Sequence, residues 1–201
     1  MLFRSGSTDE TVSCVESVAR EHRHVRLLRL GRNEGKGAAV RRGMLNVSGE
    51  YRLFTDADGA TPIAELKRLE HALASGADIA IGSRVLAAPG VSVSAQRHRV
   101  AAGRLFNWFV GRVGLRAIAD SQCGFKAFTA EAAERLFRAL RTTGFGFDVE
   151  LLMRAQGAGY RIVEVPVNWV NRPGSKVGVL KDGPRMFWQI VMARFRAGTS
   201  G

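Results

Sequence analysis

The chain has 201 residues, 46% hydrophobic and 24% charged, enough apolar content for a packed core and too much for a disordered tail. Thirty Lys and Arg against eighteen Asp and Glu leave +12, which excludes an acidic solvating protein and points to an anionic partner: phosphate, nucleotide, nucleic acid or membrane surface. The excess is uneven. Residues 1–96 carry 13 basic and 11 acidic side chains, net +2, and residues 97–201 carry 17 and 7, net +10. The second half is therefore expected to meet the anion.

The first half alternates helix and strand. Asp9 to His22 reads as a helix capped by Ser7 or Thr8, and Val25 to Leu30 as a short strand. Gly35 to Val47 is helical after a Gly-Lys-Gly turn. Tyr51 to Thr55 is a strand running into Asp56-Ala57-Asp58-Gly59. Pro62 opens a helix to about Ala74, Pro being tolerated in a first turn, and Asp78 to Gly82 is a further strand. Gly90 to Gln96 reads as a loop and Arg97 to Arg116 as an amphipathic helix. Strand Gly124 to Thr129, helix Glu131 to Leu140, helix Phe147 to Gln156 and strand Tyr160 to Val165 follow. Asn171 to Lys181 is a loop and Pro184 to Arg196 a last amphipathic helix. This alternation implies an α/β fold: a doubly wound, mostly parallel sheet with helices on both faces, in one domain. The chain starts inside a loop at Arg4-Ser5-Gly6, leaving only Met1 to Phe3 for a preceding strand.

Other classes find little support. Cys14 and Cys123 are far apart and no C-x-x-C occurs, so neither a zinc ribbon nor a redox pair is expected. The histidines at 22, 24, 71 and 98 have no metal-ligand spacing. No run of 18 apolar residues exists for a membrane span, and the first ten residues lack the apolar stretch of a signal peptide.

Asp56-Ala57-Asp58 ends a strand and opens a loop, where open α/β sheets bind ligands. Carboxylates at i and i+2 on such a turn can converge on one hard cation, Mg²⁺ or Mn²⁺, whose other positions go to water and a substrate phosphate. The competing reading is a turn with two solvated Asp. Arg84, just past a strand end, suits a phosphate; its competitor is a surface ion pair. Lys36 between two glycines could meet a phosphate, but a helix-start turn explains the glycines equally well.

In order along the chain stand Gly6-Ser7-Thr8-Asp9, Asn33-Glu34-Gly35-Lys36-Gly37, Asp56 to Thr61, Gly82-Ser83-Arg84, Ala95-Gln96-Arg97 and Asp120 to Lys126. Phe147 to Leu152, Val167-Asn168-Trp169 and Gly174-Ser175-Lys176 follow. Together they resemble the family-two glycosyltransferases that charge a polyprenyl phosphate with a sugar, most closely the dolichyl-phosphate (polyprenyl-phosphate) β-glucosyltransferase branch. The resemblance covers nearly the whole chain. It implies a nucleotide-diphospho-sugar transferase fold of GT-A type, a UDP-glucose donor, a divalent metal at Asp56 and Asp58, and inversion at the anomeric carbon. It also implies site roles: Asp9, Lys36, Asp56 and Gln122 toward the donor, and Arg84, Arg97, Arg99 and Lys176 toward the acceptor phosphate. Asp120, Asp58 and Arg84 fall at the reacting centre. A lipid phosphate is already anionic and needs little deprotonation, so Asp120 is given a positioning or electrostatic role, against a cap or turn residue. Asp148 is left open, Glu150 is read as structural, and Cys123 as a packing residue.

The family's pattern begins with a nucleotide-binding strand ending near Pro-x-Tyr-Asn-Glu, then a strand ending in two acidic residues. Here the first unit does not precede Arg4 and Ser5, which stand where the acids should be. The chain is thus expected to be N-terminally truncated relative to the family, with residues 1–96 as the donor and metal half and 97–201 as the acceptor and membrane-facing half.

Residues 97–116 hold five Arg and no acid, and 172–196 six basic residues and one acid, both rich in Trp, Phe and aliphatics. That composition suits a helix at an anionic membrane surface; a core helix with a basic solvent face competes. The expectation is a peripheral enzyme on the cytoplasmic face, binding no specific nucleic acid because no recognisable module is present. Mannosyl transfer to the same lipid and a non-catalytic lipid-phosphate-binding remnant are the alternatives.

Overall fold

The computed structural model describes residues 2–5, 11–94, 97–171 and 187–194. Strand β1 (Leu2–Ser5), helix α1 (Thr11–Glu21) and strand β2 (Leu27–Leu30) come first, with β1 and β2 paired in parallel as a separate two-stranded sheet. Arg4 and Ser5, expected in an opening loop, belong to β1, and residues 6–10 lie outside the described residues. Helix α2 (Lys36–Leu45) packs against both β1 and strand β3 (Tyr51–Thr55). A 3₁₀ turn (Ile63–Glu65) then leads into α3 (Leu66–Ala74), followed by β4 (Ile79–Ser83). Pro62 sits just outside that turn in an extended conformation, φ −60° and ψ 139°, so it precedes the helix instead of forming its first residue.

The second half supplies β5 (Val93–Ser94), α4 (Arg97–Val113), β6 (Phe125–Thr129), α5 (Ala130–Ala139), α6 (Phe147–Gly157), β7 (Ile162–Pro166) and β8 (Trp169–Val170). Residues 187–194 form a last helix, α7. The rest of the expected Pro184 to Arg196 helix, the Asn171 to Lys181 loop beyond Asn171, and the caps Ser7 and Thr8 lie outside the described residues. The expected Gly90 to Gln96 loop contains β5, which pairs in parallel with β8. Two-residue strands carry too little periodicity to be read from sequence.

The main sheet has the order β3-β6-β4-β7. β4 and β7 are parallel, while β6 runs antiparallel to both β3 and β4. The expected layering holds, with helices on both faces; β6 is the strand that alternation alone would have set parallel. Side-chain alternation shows why two cores form. Ile79 and Ile81 of β4, Phe128 of β6 and Phe54 of β3 point to one face, where α5, α6 and α4 bring Phe137, Leu136, Phe147, Leu151, Leu152 and Val110. Ala80, Phe125, Ala127 and Val165 point to the other, under Leu69 and Leu73 of α3. β4 is buried along its length, as expected for an interior strand covered on both sides. Phe54, Phe128, Phe137 and Phe147 interlock, Phe128 and Phe137 edge to face at 5.3 Å between centroids; each such pair adds about 0.5–1.5 kcal/mol beyond its buried area.

The antiparallel β6 positions the site. Its start lies beside the ends of β3 and β4, Thr55 facing Phe125. The segment before β6, Asp120 to Gly124, thus reaches the same rim as Asp56, Asp58 and Arg84.

Candidate functional site

Three strand ends and one loop build the rim. β3 releases Asp56 and Asp58. The Asp56 N–H donates to the Gly124 carbonyl at 2.8 Å, which carries the β3–β6 ladder one residue further. A Cβ on Gly124 would lie 2.0 Å from Asp56 Oδ2, so only glycine lets the carboxylate rest there. Asp56 Oδ1 sits 2.6 Å from Lys36 Nζ. Asp58 is exposed, and its Oδ1 accepts the Ala60 N–H at 2.9 Å, an Asx turn that aims the carboxylate.

Lys36 comes from the start of α2. Gly35 has φ +98°, and a Cβ there would meet the Thr143 carbonyl oxygen at 2.5 Å; Thr143 O also accepts the Ala38 N–H at 3.1 Å. The glycines therefore serve a tight backbone crossing, and the Lys36 side chain is left for the rim. Burial lowers the Lys36 pKa, but Asp148 and Asp56 more than reverse this and hold it above the ordinary value; the ammonium stays charged.

Behind the rim lies a buried pair. Lys126 Nζ is 2.6 Å from Asp148 Oδ1 and donates to the Cys123 carbonyl at 2.6 Å, with both side chains essentially inaccessible. Burial raises the Asp148 carboxyl against the pull of Lys126 and Lys36. Charges alternate from Asp56 through Lys36 and Asp148 to Lys126, so Asp148 links the two lysines. Glu150 is structural, as expected: it accepts the N–H groups of Arg141 and Thr142 and the Arg154 guanidinium. Cys123 is buried, and burial pushes its thiol up to about 11, the state of a packing residue and not of a nucleophile.

Arg84 and Asp120 form the most tightly specified pair. Asp120, 2% exposed, accepts the Arg84 backbone N–H (2.9 Å) and Nε (2.7 Å) on Oδ2, and Nη2 (2.7 Å) on Oδ1. The guanidinium also lies 5.7 Å from the Trp169 ring centroid. Burial raises the Asp120 pKa, but the Arg84 hydrogen bonds and charge pull it below the ordinary carboxylate range. Such a fork-to-carboxylate bond fixes guanidinium orientation as well as charge. Nη1 has no acceptor among the described residues.

Of the ten residues expected here, Lys36, Asp56, Asp58, Arg84, Asp120 and Gln122 come together at this end of the sheet. The Gln122 amide nitrogen is buried without an acceptor among the described residues. Asp9 and Lys176 lie outside the described residues, as do the side chains of Arg97 and Arg99, whose backbone opens α4. Sequence reading missed Glu164, which holds the Asp120 loop, and Asn107, which bonds Ala119 and Ser121. The available signal was an acid inside the apolar run Ile162-Val163-Glu164-Val165.

Among the described residues no three His, Cys, Asp or Glu gather as a metal cage. The carboxylate oxygens of this rim are the hard donors that Mg²⁺ or Mn²⁺ takes; Asp58 is open to such an ion, which would share Asp56 with the Lys36 ammonium.

The glycosyl transferase family 2 pattern matches residues 2–137. Relatives named dolichyl-phosphate β-glucosyltransferase include those of Dictyostelium discoideum, 37% identical over 98% of this chain and 62% of the relative, and Drosophila melanogaster, 40% over 88% and 57%. The human protein of that name is 36% identical over 98% and 63%. The chain thus spans about three-fifths of the length of these relatives. Among solved structures, glucosyl-3-phosphoglycerate synthase from Mycobacterium tuberculosis in complex with uridine diphosphate shares the fold, with a TM-score of 0.68 at 19% identity over 98% of this chain and 68% of that one. The strand-end carboxylates, the clamped Arg84, the matched segment and these relatives agree: the chain belongs to glycosyl transferase family 2.

Proposed function

We propose that this chain carries a metal-dependent, inverting glucosyltransferase that moves glucose from UDP-glucose to a dolichyl or other polyprenyl phosphate at a membrane surface. The observation that carries the reading is the Arg84–Asp120 fork beside the Asp56/Asp58 rim. One free guanidinium edge stands next to paired carboxylates, as a reaction between two phosphate-bearing substrates requires. In the reaction a lipid-phosphate oxygen bonds to the anomeric carbon from the face opposite UDP. The bond from that carbon to the β-phosphate oxygen breaks, and its electron pair leaves with UDP.

Asp56 and Asp58 would hold Mg²⁺ or Mn²⁺, which supplies charge to offset the departing diphosphate. Lys36, with Gln122 and Asp9, serves the donor. Arg84 holds the acceptor phosphate, joined by Arg97, Arg99 and Lys176. Asp120 acts by orienting Arg84: its oxygens are engaged and its pKa lies below the ordinary range, which suits a reaction whose nucleophile is already ionised. Residues 1–96 form the donor half and 97–201 the acceptor half of one domain.

The membrane side of the reading rests on α4 and α7. Trp108, Phe187 and Trp188 are 61%, 50% and 64% exposed, and Phe109 stacks on Phe187 at 4.5 Å between centroids. The Arg112 guanidinium lies over the Trp108 ring. No helix among the described residues is long and apolar enough to cross a bilayer, so contact through aromatics and arginines at an anionic leaflet, on the cytoplasmic face, is the proposed mode.

Mass spectrometry of a polyprenyl phosphate incubated with UDP-glucose, Mn²⁺ and this chain in detergent tests the activity. Glucosylated lipid, absent without metal and with Asp58→Ala, is expected. Lipid binding without product from folded protein would replace the reading with a non-catalytic lipid-phosphate binder, and product only from GDP-mannose would move it to mannosyl transfer.

A further inference from the structure

The loop between α4 and β6 is gripped by side chains of α4, α6 and β7 with no assigned role. Its shape is not an easy one: Ala117 has φ 55° and Gly114 φ 128°, left-handed backbone that costs a non-glycine residue energy. Packing anchors only part of it: Leu115 is buried in the larger core and Ile118 packs against that core. An open cavity of about 480 Å³ lies against the loop, lined by Gly111, Leu115 to Ala119 and Glu164. Hydrogen bonds hold the rest. Gln156 of α6 accepts the Arg116 N–H at 3.2 Å and donates to the Arg116 carbonyl at 2.6 Å. Asn107 of α4 donates to the Ala119 carbonyl and accepts the Ser121 hydroxyl at 3.3 Å. Glu164 of β7 accepts two successive N–H groups, Ala119 at 2.7 Å on one oxygen and Asp120 at 2.9 Å on the other.

We infer that Glu164 is a positioning residue: its carboxylate aims the Asp120 backbone so that the Asp120 side chain can lock the Arg84 guanidinium. The chemistry at 164 is specific. Two adjacent N–H donors on two oxygens need a carboxylate; a carboxamide offers one acceptor and turns an NH₂ group at the second donor. No lysine or arginine pairs with Glu164 among the described residues. A second negative charge therefore stands one peptide away from Asp120. For packing alone a neutral residue would serve better, because like charges in a partly buried site repel. The carboxylate is explained by the bidentate grip. The grip matters because Asp120 Oδ2 must meet both the N–H and the Nε of Arg84, two donors on one atom that tolerate little rotation of the 119–120 peptide.

The consequence for turnover rests on the glucosyltransferase reading above; the positioning does not. The deciding measurement is therefore NMR of the Arg84 Nε–H, identified as the arginine signal that Arg84→Lys removes. In the unaltered chain it exchanges slowly with water. In Glu164→Gln it exchanges at least about tenfold faster, the loss expected when a charged hydrogen-bond partner is misplaced, while circular dichroism stays that of folded protein. An unchanged Arg84 signal in folded Glu164→Gln overturns the inference. If that variant does not fold, exchange at the Ala119 and Asp120 amides of the unaltered chain decides: protection supports the grip and free exchange overturns it. Where the chain turns over, Glu164→Gln raises KM for the lipid phosphate about tenfold and leaves KM for UDP-glucose unchanged; equal change in both, or in neither, counts against the positioning role. Absence of turnover in the unaltered chain bears on the glucosyltransferase reading alone, since the Arg84 signal is read without substrate.

Discussion

The carboxylates at Asp56 and Asp58 and the carboxylate at Asp120 sit at one end of one sheet and are held in opposite ways. Asp58 is exposed and makes one local turn bond. The Asp56 side chain is 40% exposed and meets one ammonium. Asp120 is 2% exposed, takes three bonds from Arg84, and hangs from a backbone that Glu164 and Asn107 grip. Asp56 and Asp58 keep oxygen lone pairs open. Asp120 has both oxygens engaged by Arg84. Burial and bond count thus separate the open acids of this rim from the saturated one more sharply than residue type does.

The open and the saturated acids share a support. Lys126 and Asp148 lie behind both, and Lys126 also grips the Cys123 carbonyl. Lys126→Met leaves a buried carboxylate without its ammonium, and urea unfolding is expected to register a loss of about 3–5 kcal/mol. A change near zero would show that Asp148 takes up a proton at no cost and that the charge string is not a support. Arg84→Ala strands Asp120 in turn. With Arg84 about one-third exposed, the expected loss is smaller, about 2–3 kcal/mol, and Asp120→Asn in the same background should recover part of it.

Gly124→Ala sharpens the rim side. Its methyl group would occupy the position of the Asp56 carboxylate, so a cost of about 1–3 kcal/mol should come with weakened Mn²⁺ binding followed by electron paramagnetic resonance. Acid pH probes the saturated side. Bonds from Arg84 to Asp120, and from Thr142, Arg154 and Arg141 to Glu150, hold both carboxyls below their ordinary range against the upward push of burial. The unfolded chain therefore binds protons first as pH falls, and stability falls with it. Their contribution is complete above the ordinary carboxylate range, about pH 4, and disappears as pH drops through the lower folded-state values. Tm measured from pH 7 to pH 3 should show this slope, and Glu150→Gln should flatten it. Asp58→Asn gives the smallest stability effect, within about 0.5 kcal/mol, because the amide oxygen can still accept the Ala60 N–H. It should nevertheless lower metal-dependent turnover by about 10²-fold; a silent Asp58→Asn would remove the distinction between the two kinds of acid.

The residues legible beforehand share a property. Asp56, Asp58, Arg84 and Asp120 follow or precede strands, and a polar residue at the end of an apolar run stands out in a one-dimensional pattern. Glu164 stands inside such a run, where alternation assigns it to a face without saying what covers that face. Its partners are backbone N–H groups 44 and 45 positions away, and backbone leaves no mark on the sequence. Gly124 was visible as a glycine, but its reason, the Asp56 carboxylate, arrives through the β3–β6 pairing.

Sequence by itself determined the alternation of helices and strands, the two-faced strands, the basic second half and the order of motifs that places the chain in its family, because hydrophobic period, turn chemistry and charge are local properties. Tertiary structure alone decided that β6 runs antiparallel and brings Asp120 to the rim, that Lys126 and Asp148 pair behind it, and that the loop before β6 holds its strained shape. Those outcomes depend on strand order and on hydrogen bonds between elements far apart in the chain, which no local pattern encodes.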